Sequence, residues 1–381
     1  MINAYYLKEV YSWQNRNDVM ATRSHGIYSF ELSILKLEKI LLKRRFSMEP
    51  KHSVGLSSTE IAGLWGTYIS DSLSICLTKH FLHHSNYTDV NPLIQLTLDI
   101  SNKHIEEIES IFKSEGFPIP KGFSDDDLDL TAPPLFFDLF SVSYIYGMSR
   151  IGLMNYSIQL SNVAREDIRT FFSNCLTSSL DLYNKSVDLM LSKGIYDRPT
   201  MIPYPDSVEF VTKEGLLSKF IEPKRPLNVL EISEMFFNIE RNYFGLILLT
   251  GFIQVVKDKE IKNYLIKGKE LAKKQIRFLN DALIKDDLIG TIMINTEVST
   301  STISPFSEKL IMNLVNTLNT QGLTYIGHAL SITSRIDLST EYLKLIPEIL
   351  KFGKDGADIL MDRGWMEEPP HAPNRKELGG Y

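Results

Sequence analysis

The stretch that decides the fold occurs twice. Residues 160–189 read LSNVAREDIRTFFSNCLTSSLDLYNKSVDL, and residues 330–359 read LSITSRIDLSTEYLKLIPEILKFGKDGADI. Each copy then places apolar or small residues at alternating spacings of four and three. A seam with this mean period of 3.5 residues is typical of a helix that packs along a neighbouring helix at a shallow angle. The seam positions are Ile168, Phe172, Cys175, Ser179, Leu182, Ser186 and Leu189 in the first copy and Leu338, Tyr342, Leu345, Ile349, Phe352, Gly356 and Ile359 in the second.

The repeat extends well beyond this stretch. Gly152 recurs as Gly322 at an offset of 170, and upstream Glu60 recurs as Glu231 at an offset of 171. A nearly constant offset over about 140 residues indicates a duplication. Each copy is predicted to hold four helices. Their predicted bounds are 58–84, 91–114, 134–162 and 165–193 in the first copy and 229–256, 258–285, 305–332 and 337–363 in the second.

Helix-end signals support these bounds. The spacing Ser57-x-x-Glu60 is a capping box. Asn91-Pro92 and Ser304-Pro305 each place a capping residue before a proline, which is favoured at the first helical position. Gly194 and Gly364 stand where a helix commonly ends on a glycine. These local signals therefore predict where several of the helices begin or end.

Two long segments, residues 116–133 and 288–304, separate the second and third helix of each copy. Such a connection matches the long crossover of ferritin-like bundles. The predicted fold is all-α, with two tandem ferritin-like, up-down four-helix bundles. The predicted domains are an extension at 1–50, a first bundle at 51–205, a linker at 206–228, a second bundle at 229–370 and a tail at 371–381.

Composition limits the function classes. The chain has 381 residues and a formal net charge of −6, which argues against broad nucleic-acid binding because that partner favours a basic face. Only Cys76 and Cys175 occur, so a disulfide scaffold is excluded, and both are interpreted as packing thiols. The sequence predicts neither a membrane span nor a secretory signal, so a cytoplasmic location is expected.

The first 50 residues differ from the rest. They hold eight Lys or Arg and five Asp or Glu, a charge of +3, which leaves −9 for residues 51–381. A helix from about Ser29 to Arg45 is predicted to end in the run Lys43-Arg44-Arg45. That run is interpreted as a solvated helix end, with an anionic partner as the alternative. A second hypothesis places the true start of the protein at Met48.

A ferritin-like bundle raises the possibility of a two-metal carboxylate site, which needs Glu-x-x-His pairs on its helices. That spacing occurs only at Glu49-x-x-His52 and Glu368-x-x-His371, where proline intervenes. A simpler iron or manganese site, with fewer ligands than a two-metal site, is therefore considered at Asp71, His104 and Glu107. The alternative is a hydrogen-bonded histidine in the seam beside a solvated Glu107. The second copy has Asn242, Gln275 and Phe278 at the matching positions, which suit hydrogen bonding or packing.

Three further clusters have two interpretations each. His80, His83 and His84 share one helical face, which allows metal binding, although they also suit the negative end of a helix dipole. The acidic loop Asp125-Asp126-Asp127 lacks the pattern of a calcium loop and is interpreted as a solvated turn. The third cluster is the repeated Ser-x-x-x-Arg-x-Asp motif, at Ser161, Arg165, Asp167, Ser331, Arg335 and Asp337.

The repeated motif is interpreted mainly as structural, with an anion or partner site as the alternative. In the structural interpretation, the arginines satisfy the last carbonyls of the third helix, and the aspartates favour the start of the fourth.

Several segments resemble a known family. They are GLWGTYISDSLSICLTKHFL from Gly63, NKHIEEIESIFKSEGFPIPKGFSDDDLDLTAPPLFFDLF from Asn102, NIERNYFGLILLTGFIQVVKDKEI from Asn238, SPFSEKLIMNLVNTLN from Ser304 and ILMDRGWMEEPP from Ile359. They are similar to the tandem-repeat family of unknown function DUF3231, found in spore-forming Gram-positive bacteria. The resemblance spans about Val54 to Arg375. It implies a ferritin-like bundle similar to spore coat protein F and no established activity.

The resemblance also bears on the site. The resemblance implies that members of the family carry a histidine at the position of His104 and at the matching position in the second copy. Here Gln275 occupies that second position, so the second copy has lost its histidine. We expect a non-enzymatic interaction or structural role, associated with the spore or with stress, through an unknown protein partner or self-association. Phe117, Phe123, Trp365 and Met366 would contact a partner or, alternatively, close the bundle ends.

Two other functions stay open from the sequence. One is metal storage or an oxidoreductase activity at the simpler metal site of the first copy, formed by Asp71, His104 and Glu107. The other is small-ligand binding in a bundle interior, which an apolar cavity with convergent polar groups would support.

Overall fold

A computed structural model describes residues 54–208, 210, 225–290 and 298–380. The predicted N-terminal extension, with its basic run and Met48, lies outside these residues. The described parts of the chain are helical and contain no strand beyond two isolated β-bridges. The helices are α1 Ser58–His84, α2 Asn91–Ser114, α3 Leu139–Asn162, α4 Glu166–Lys193, α5 Val229–Val255, α6 Lys259–Lys285, α7 Glu308–Ile332, α8 Ile336–Asp362 and the short α9 Arg375–Gly379.

Most predicted helix bounds agree with the structure to within one residue. The capping box of α1 is present, because Ser57 N donates to Glu60 Oε2 at 2.8 Å and Glu60 N donates to Ser57 Oγ at 3.3 Å. Gly194 ends α4 in the left-handed region, at φ 67°. Asn91 is a difference, because it lies inside the first turn of α2 and Val90 takes the capping position.

The third helix of each copy begins later than predicted. α3 begins at Leu139 and α7 at Glu308. Pro134 and Pro305, which were predicted to begin these helices, lie instead in the crossover segments before them. Their carbonyls accept hydrogen bonds from the other copy. Asp129 N donates to Pro305 O at 2.8 Å, and Ser299 Oγ donates to Pro134 O at 2.6 Å.

Each copy forms a four-helix bundle with the predicted ferritin-like connection. In the first bundle, α1 packs against α2 and α3 against α4, and the two pairs then pack together. Arg165, before α4, contacts Glu115, which follows α2. At the opposite end, Asn86 N donates to Asp138 Oδ2 at 2.9 Å, just before α3. Since α2 ends and α3 begins at opposite ends, the crossover runs the length of the bundle. Helices α5–α8 repeat this pairing.

The two crossovers pair with each other, a feature that the sequence analysis did not predict. The bridges Leu128–Phe306 and Phe136–Val298 are both antiparallel. Asp127 lies next to the first of these bridges and is buried. One of its carboxylate oxygens accepts a hydrogen bond from Ser307 Oγ at 2.6 Å. The interpretation of the acidic loop as a solvated turn is therefore wrong for Asp127.

Aromatic side chains extend this contact into a shared core. Phe140 of α3 stacks on Phe244 of α5, with ring centroids 5.5 Å apart. Phe252 lies edge-on to Phe136 at 6.1 Å and to Phe306 at 6.4 Å. As a result, Leu56–Tyr381 forms one compact unit.

The seam positions are buried as predicted, except that Met190 replaces Leu189 as the buried residue at the end of α4. In the second bundle, Tyr264 and Phe352 stack in parallel at 4.3 Å. Gly356 and Gly268 make room for them, since a Cβ on Gly268 would lie 2.5 Å from the Phe352 ring. Gly356 therefore allows α8 to approach Tyr264 of α6 closely.

The four residues considered as a partner surface mostly pack inward. Phe123 is buried, and Phe117 packs against Phe112 with ring centroids 4.8 Å apart. Trp365 packs against the shared core, whereas Met366 is exposed. These contacts favour the alternative that they close the ends of the bundles.

Candidate functional site

The centre of the first bundle holds a buried polar pair. Asp71 of α1 and His104 of α2 are both buried, and His104 Nδ1 lies 2.9 Å from Asp71 Oδ2. Ser101 Oγ donates to the other carboxylate oxygen of Asp71 at 3.0 Å. The His104 ring lies edge-on to Phe171 and to Tyr156. Each oxygen of the carboxylate thus has a partner inside the bundle, as a buried charge requires.

Glu107, the third predicted metal ligand, lies apart from this pair. It is half-buried, and its carboxylate lies 3.7 Å from Lys103 Nζ. No group of three or more His, Cys, Asp or Glu side chains arranged for a metal ion occurs among the described residues. The structure therefore brings together two of the three predicted ligands, and the metal interpretation stays a prediction without a third ligand.

The three histidines at the end of α1 lie close together. The His80 and His84 rings are 4.7 Å apart, and those of His83 and His84 are 4.8 Å apart. His80 is buried against Phe306. Burial lowers the pKa of His80 to about 3, with a further contribution from its two histidine neighbours. His80 is therefore a neutral ring packed beneath the paired crossovers.

The repeated motif joins helices at one end of each bundle. Arg165 pairs with Asp167 and with Glu115, at 2.7 and 2.6 Å. Arg335 likewise pairs with Asp337 and Asp286, at 2.8 and 2.7 Å. Both guanidinium groups pair with carboxylates of the next helix and at the end of a neighbouring one, rather than with the carbonyls of the preceding helix that were predicted as their partners.

The serines of the same motif make local contacts. Ser161 Oγ donates to Ile158 O, and Ser331 Oγ donates to His328 O. One buried glutamate completes each junction, because Glu60 accepts from Arg165 N at 3.0 Å and Glu231 accepts from Arg335 N at 3.1 Å. These bonds attach the start of the first helix to the turn between the third and fourth.

The centre of the second bundle differs from the first. Asn242 and Gln275 occupy the positions of Asp71 and His104, and Asn242 Nδ2 donates to Gln275 Oε1 at 3.2 Å. The same oxygen accepts from Arg241 Nη2 at 3.3 Å. Two neutral amides and an arginine therefore replace a carboxylate and an imidazole.

A cavity of about 130 Å³ lies beside these residues. Helices α5, α6 and α7 form most of its wall, and α3 of the first bundle closes one side. We call it the interior cavity. Its wall is mainly apolar and includes Ile151, Phe244, Leu248, Leu271, Leu318 and Phe352.

Of the described residues lining the interior cavity, three are charged: Arg150, Glu240 and Arg241. Arg150 Nη1 pairs with Glu240 Oε2 at 2.5 Å and also donates to the Tyr146 hydroxyl at 2.9 Å. The Arg150 guanidinium lies over the Phe237 ring at 4.1 Å. This ion pair across the two bundles is therefore internally balanced.

Arg241 has no such balance. No carboxylate pairs with it among the described residues, and its buried Nε has no hydrogen-bond partner. Burial lowers the pKa of Arg241 to about 10, which still leaves it protonated at neutral pH. Gly322 makes room for the group, because a Cβ there would lie 2.6 Å from Arg241 Nη1. The arginine as a whole is half-buried, so its charge is only partly solvated, and an anion that joined it would stabilise it.

The sequence analysis did not single out Arg241. A signal was present, because Glu240 and Arg241 interrupt the otherwise uncharged and mainly apolar stretch FFNIERNYFGLILLT at 236–250. Charges in a helix that is apolar on all sides are rare and are expected to be paired. Which of the two remains unpaired depends on Arg150, a residue from the other bundle.

Comparisons with known proteins agree with the tandem architecture. A family model described as "Protein of unknown function (DUF3231)" matches residues 47–208 and 216–378. A solved structure from Bacillus halodurans, described as "a putative spore coat protein", is similar to part of the chain. The sequence identity is 20%, the match covers 40% of this chain and 98% of that one, and the TM-score is 0.36. No curated protein matches the chain. Among the described residues, every helix is too short or too polar to cross a membrane.

Proposed function

Since the chain belongs to the DUF3231 family, whose members have no assigned function, we propose its function from the geometry of the second bundle. The protein binds a small, largely apolar ligand in the interior cavity. The observation that carries this proposal is an apolar cavity of about 130 Å³ on which a few polar side chains converge. Pockets of that character are the usual small-molecule sites of proteins.

Two further features favour binding over storage of a metal or over catalysis. The carboxylate of Glu240 already accepts a charge-assisted hydrogen bond from Arg150, so it is occupied. The amides of Asn242 and Gln275 bond to each other and present neutral polar edges to the cavity. Groups held in this way orient a ligand more readily than they exchange protons with it.

A cavity-filling variant tests the proposal. A Cβ added at Gly245, which lines the interior cavity, would meet no atom within 4 Å. We expect Gly245→Leu to fill part of the space. Benzene is the probe, because a cavity of about 150 Å³ accepts it. Its binding is measured by calorimetry and as a rise in melting temperature, since a ligand that binds only the folded state stabilises it.

The control is Gly327→Leu on the exposed face of α7, where a Cβ also meets no atom within 4 Å. Benzene should bind the unmodified protein and Gly327→Leu with similar affinity, and it should bind Gly245→Leu at least about tenfold more weakly. Equal binding to all three proteins, or binding to none, would overturn the proposal.

A further inference from the structure

We infer that the ligand of the interior cavity is a small monocarboxylate with an apolar body, whose carboxylate pairs with Arg241. This inference rests on the proposed function and names the chemical class of the ligand. It derives from three features: the charge balance of the cavity wall, the free donors of Arg241, and the size and polarity of the remaining space.

The charge balance of the cavity wall indicates the charge of the ligand. Arg150 and Glu240 neutralise each other, so Arg241 leaves the described wall with one positive charge in excess. In the part of the chain that the structure describes, its guanidinium has one hydrogen-bonded neighbour, the neutral oxygen of Gln275, and the nearby Tyr325 ring lies 5.8 Å from the guanidinium carbon. A single negative charge on the ligand would complete the balance. A dianion would exceed it.

The donors of Arg241 give the geometry of the charged group. A guanidinium has five N–H donors in a planar fork that matches a carboxylate in two parallel hydrogen bonds. Among the described residues, only Nη2 has a hydrogen-bond partner, and Nε is buried without one. Because Gly322 lacks a side chain, Nη1 can lie close to α7 beside the cavity. Nε is enclosed and out of reach of a ligand, so Nη1 and the second N–H of Nη2 are the donors that remain for two ligand oxygens.

The rest of the wall gives the body of the ligand. A carboxylate with no apolar part would leave most of the wall in contact with water, which loses the hydrophobic contribution to binding. The volume is close to that of a cavity that holds benzene, so the body has about six carbon atoms. Benzoate and heptanoate each carry six carbon atoms on the carboxylate.

The experiment compares benzoate with benzamide, benzene and inorganic phosphate on the full chain by calorimetry. Benzoate and benzamide differ in charge but hardly in shape. A charge-assisted pair in a buried site favours benzoate by about tenfold to hundredfold. Phosphate carries charge without an apolar body, so we expect it to bind much more weakly than benzoate.

Two variants assign the preference to Arg241. Arg241→Met removes the charge, and Gly322→Ala retains it but forces the guanidinium to move. Both should reduce benzoate affinity to about that of benzamide and change benzene affinity by less than about threefold. The control, Arg277→Met, removes one positive charge from an exposed site on α6 and should leave benzoate binding unchanged.

The outcomes separate this inference from the proposed function. Benzene binding without a preference for benzoate over benzamide would overturn the inference and leave the proposed function standing. Binding of phosphate as tight as that of benzoate would show a site for inorganic anions and would also overturn it. If neither benzene nor benzoate binds, both proposals fail. If Arg241→Met does not fold, Gly322→Ala and the comparison of the four probes still decide.

Discussion

The centres of the two bundles occupy equivalent places in the repeat and differ in electrostatics. In the first, the carboxylate of Asp71 has His104 and Ser101 as partners, so the polar cluster is complete within the protein. In the second, Asn242 and Gln275 pair with each other, and Arg241 is added without a carboxylate partner in the described chain. The difference shows that one duplicated scaffold can hold a closed polar cluster in one copy and an open one in the other.

Packing around the two centres differs in a coordinated way. Leu93 and Leu182 of the first bundle correspond to Tyr264 and Phe352 of the second, where the rings stack. The larger rings are accommodated because Thr97 and Ser186 of the first bundle correspond to Gly268 and Gly356. Aromatic volume gained at one position is therefore offset by volume lost on the facing helix, as close-packed interiors require.

The largest loss of stability is expected when a member of the Asp71–His104–Ser101 cluster is removed. His104→Ala leaves the buried Asp71 carboxylate with Ser101 as its one side-chain partner. We expect it to lower the free energy of unfolding by about 3 kcal/mol, because a buried charge loses its partner. Asp71→Asn combined with His104→Gln reproduces the amide pair of the second bundle. It should cost about 1 kcal/mol or less, since both partners become neutral together.

Urea unfolding at neutral pH measures both changes, with His371→Ala in the exposed tail as the control. A double variant at least as unstable as His104→Ala would show that the two centres are not interchangeable.

An intermediate effect is expected from the glycine that accommodates the ring stack. Gly268→Ala places a Cβ 2.5 Å from the Phe352 ring, and overpacking of this kind costs about 1–3 kcal/mol. Adding Phe352→Leu, which restores the residue of the first bundle, should recover part of that loss. Gly327→Ala, on an exposed helical face, should instead stabilise by about 0.5–1 kcal/mol. A Gly268→Ala protein as stable as Gly327→Ala would contradict this account.

The smallest effect is a pH dependence confined to the first bundle, because the position of His80 is Gly251 in the second. The folded-state pKa of His80, about 3, lies below its ordinary value of 6.5. The unfolded chain therefore takes up the proton first, and stability falls as the pH drops from about 6.5 towards 3. At pH 5.5 this residue should cost about 1.4 kcal/mol relative to neutral pH.

The measurement is the difference between the unfolding free energies of the unmodified protein and His80→Phe at pH 7.5 and 5.5. The phenylalanine ring keeps the contact with Phe306 but has no group to protonate. Parallel changes in the two proteins would refute the prediction.

Helix positions were predictable from the sequence because their signals are local. The capping box at Ser57, the glycine at 194 and the seams of α4 and α8 act within a few residues. The starts of α3 and α7 were less predictable, because Pro134 and Pro305 bond to the other copy of the repeat. A proline before a helical pattern has the same local signature whether it begins the helix or the extended segment before it.

The candidate sites show the same contrast between local signals, which the sequence reveals, and long-range contacts, which it does not. Asp71 and His104 were predicted together because both lie on apolar seams of one bundle, and the structure places them 2.9 Å apart. Arg241 was not predicted, because the sequence does not reveal that Arg150 of the other bundle neutralises Glu240 and leaves Arg241 unpaired.

The all-helical bundles, their duplication and the seams follow from the amino-acid sequence, because periodicity, caps and repeats are visible in the order of the residues. Three features emerge only in the folded chain: the crossovers pair, both bundles share one core, and a cavity holds an arginine whose charge no described carboxylate balances. Charge compensation and unfilled volume cannot be read from the sequence, because they depend on residues far apart in the chain. The ligand chemistry proposed here rests on that long-range arrangement.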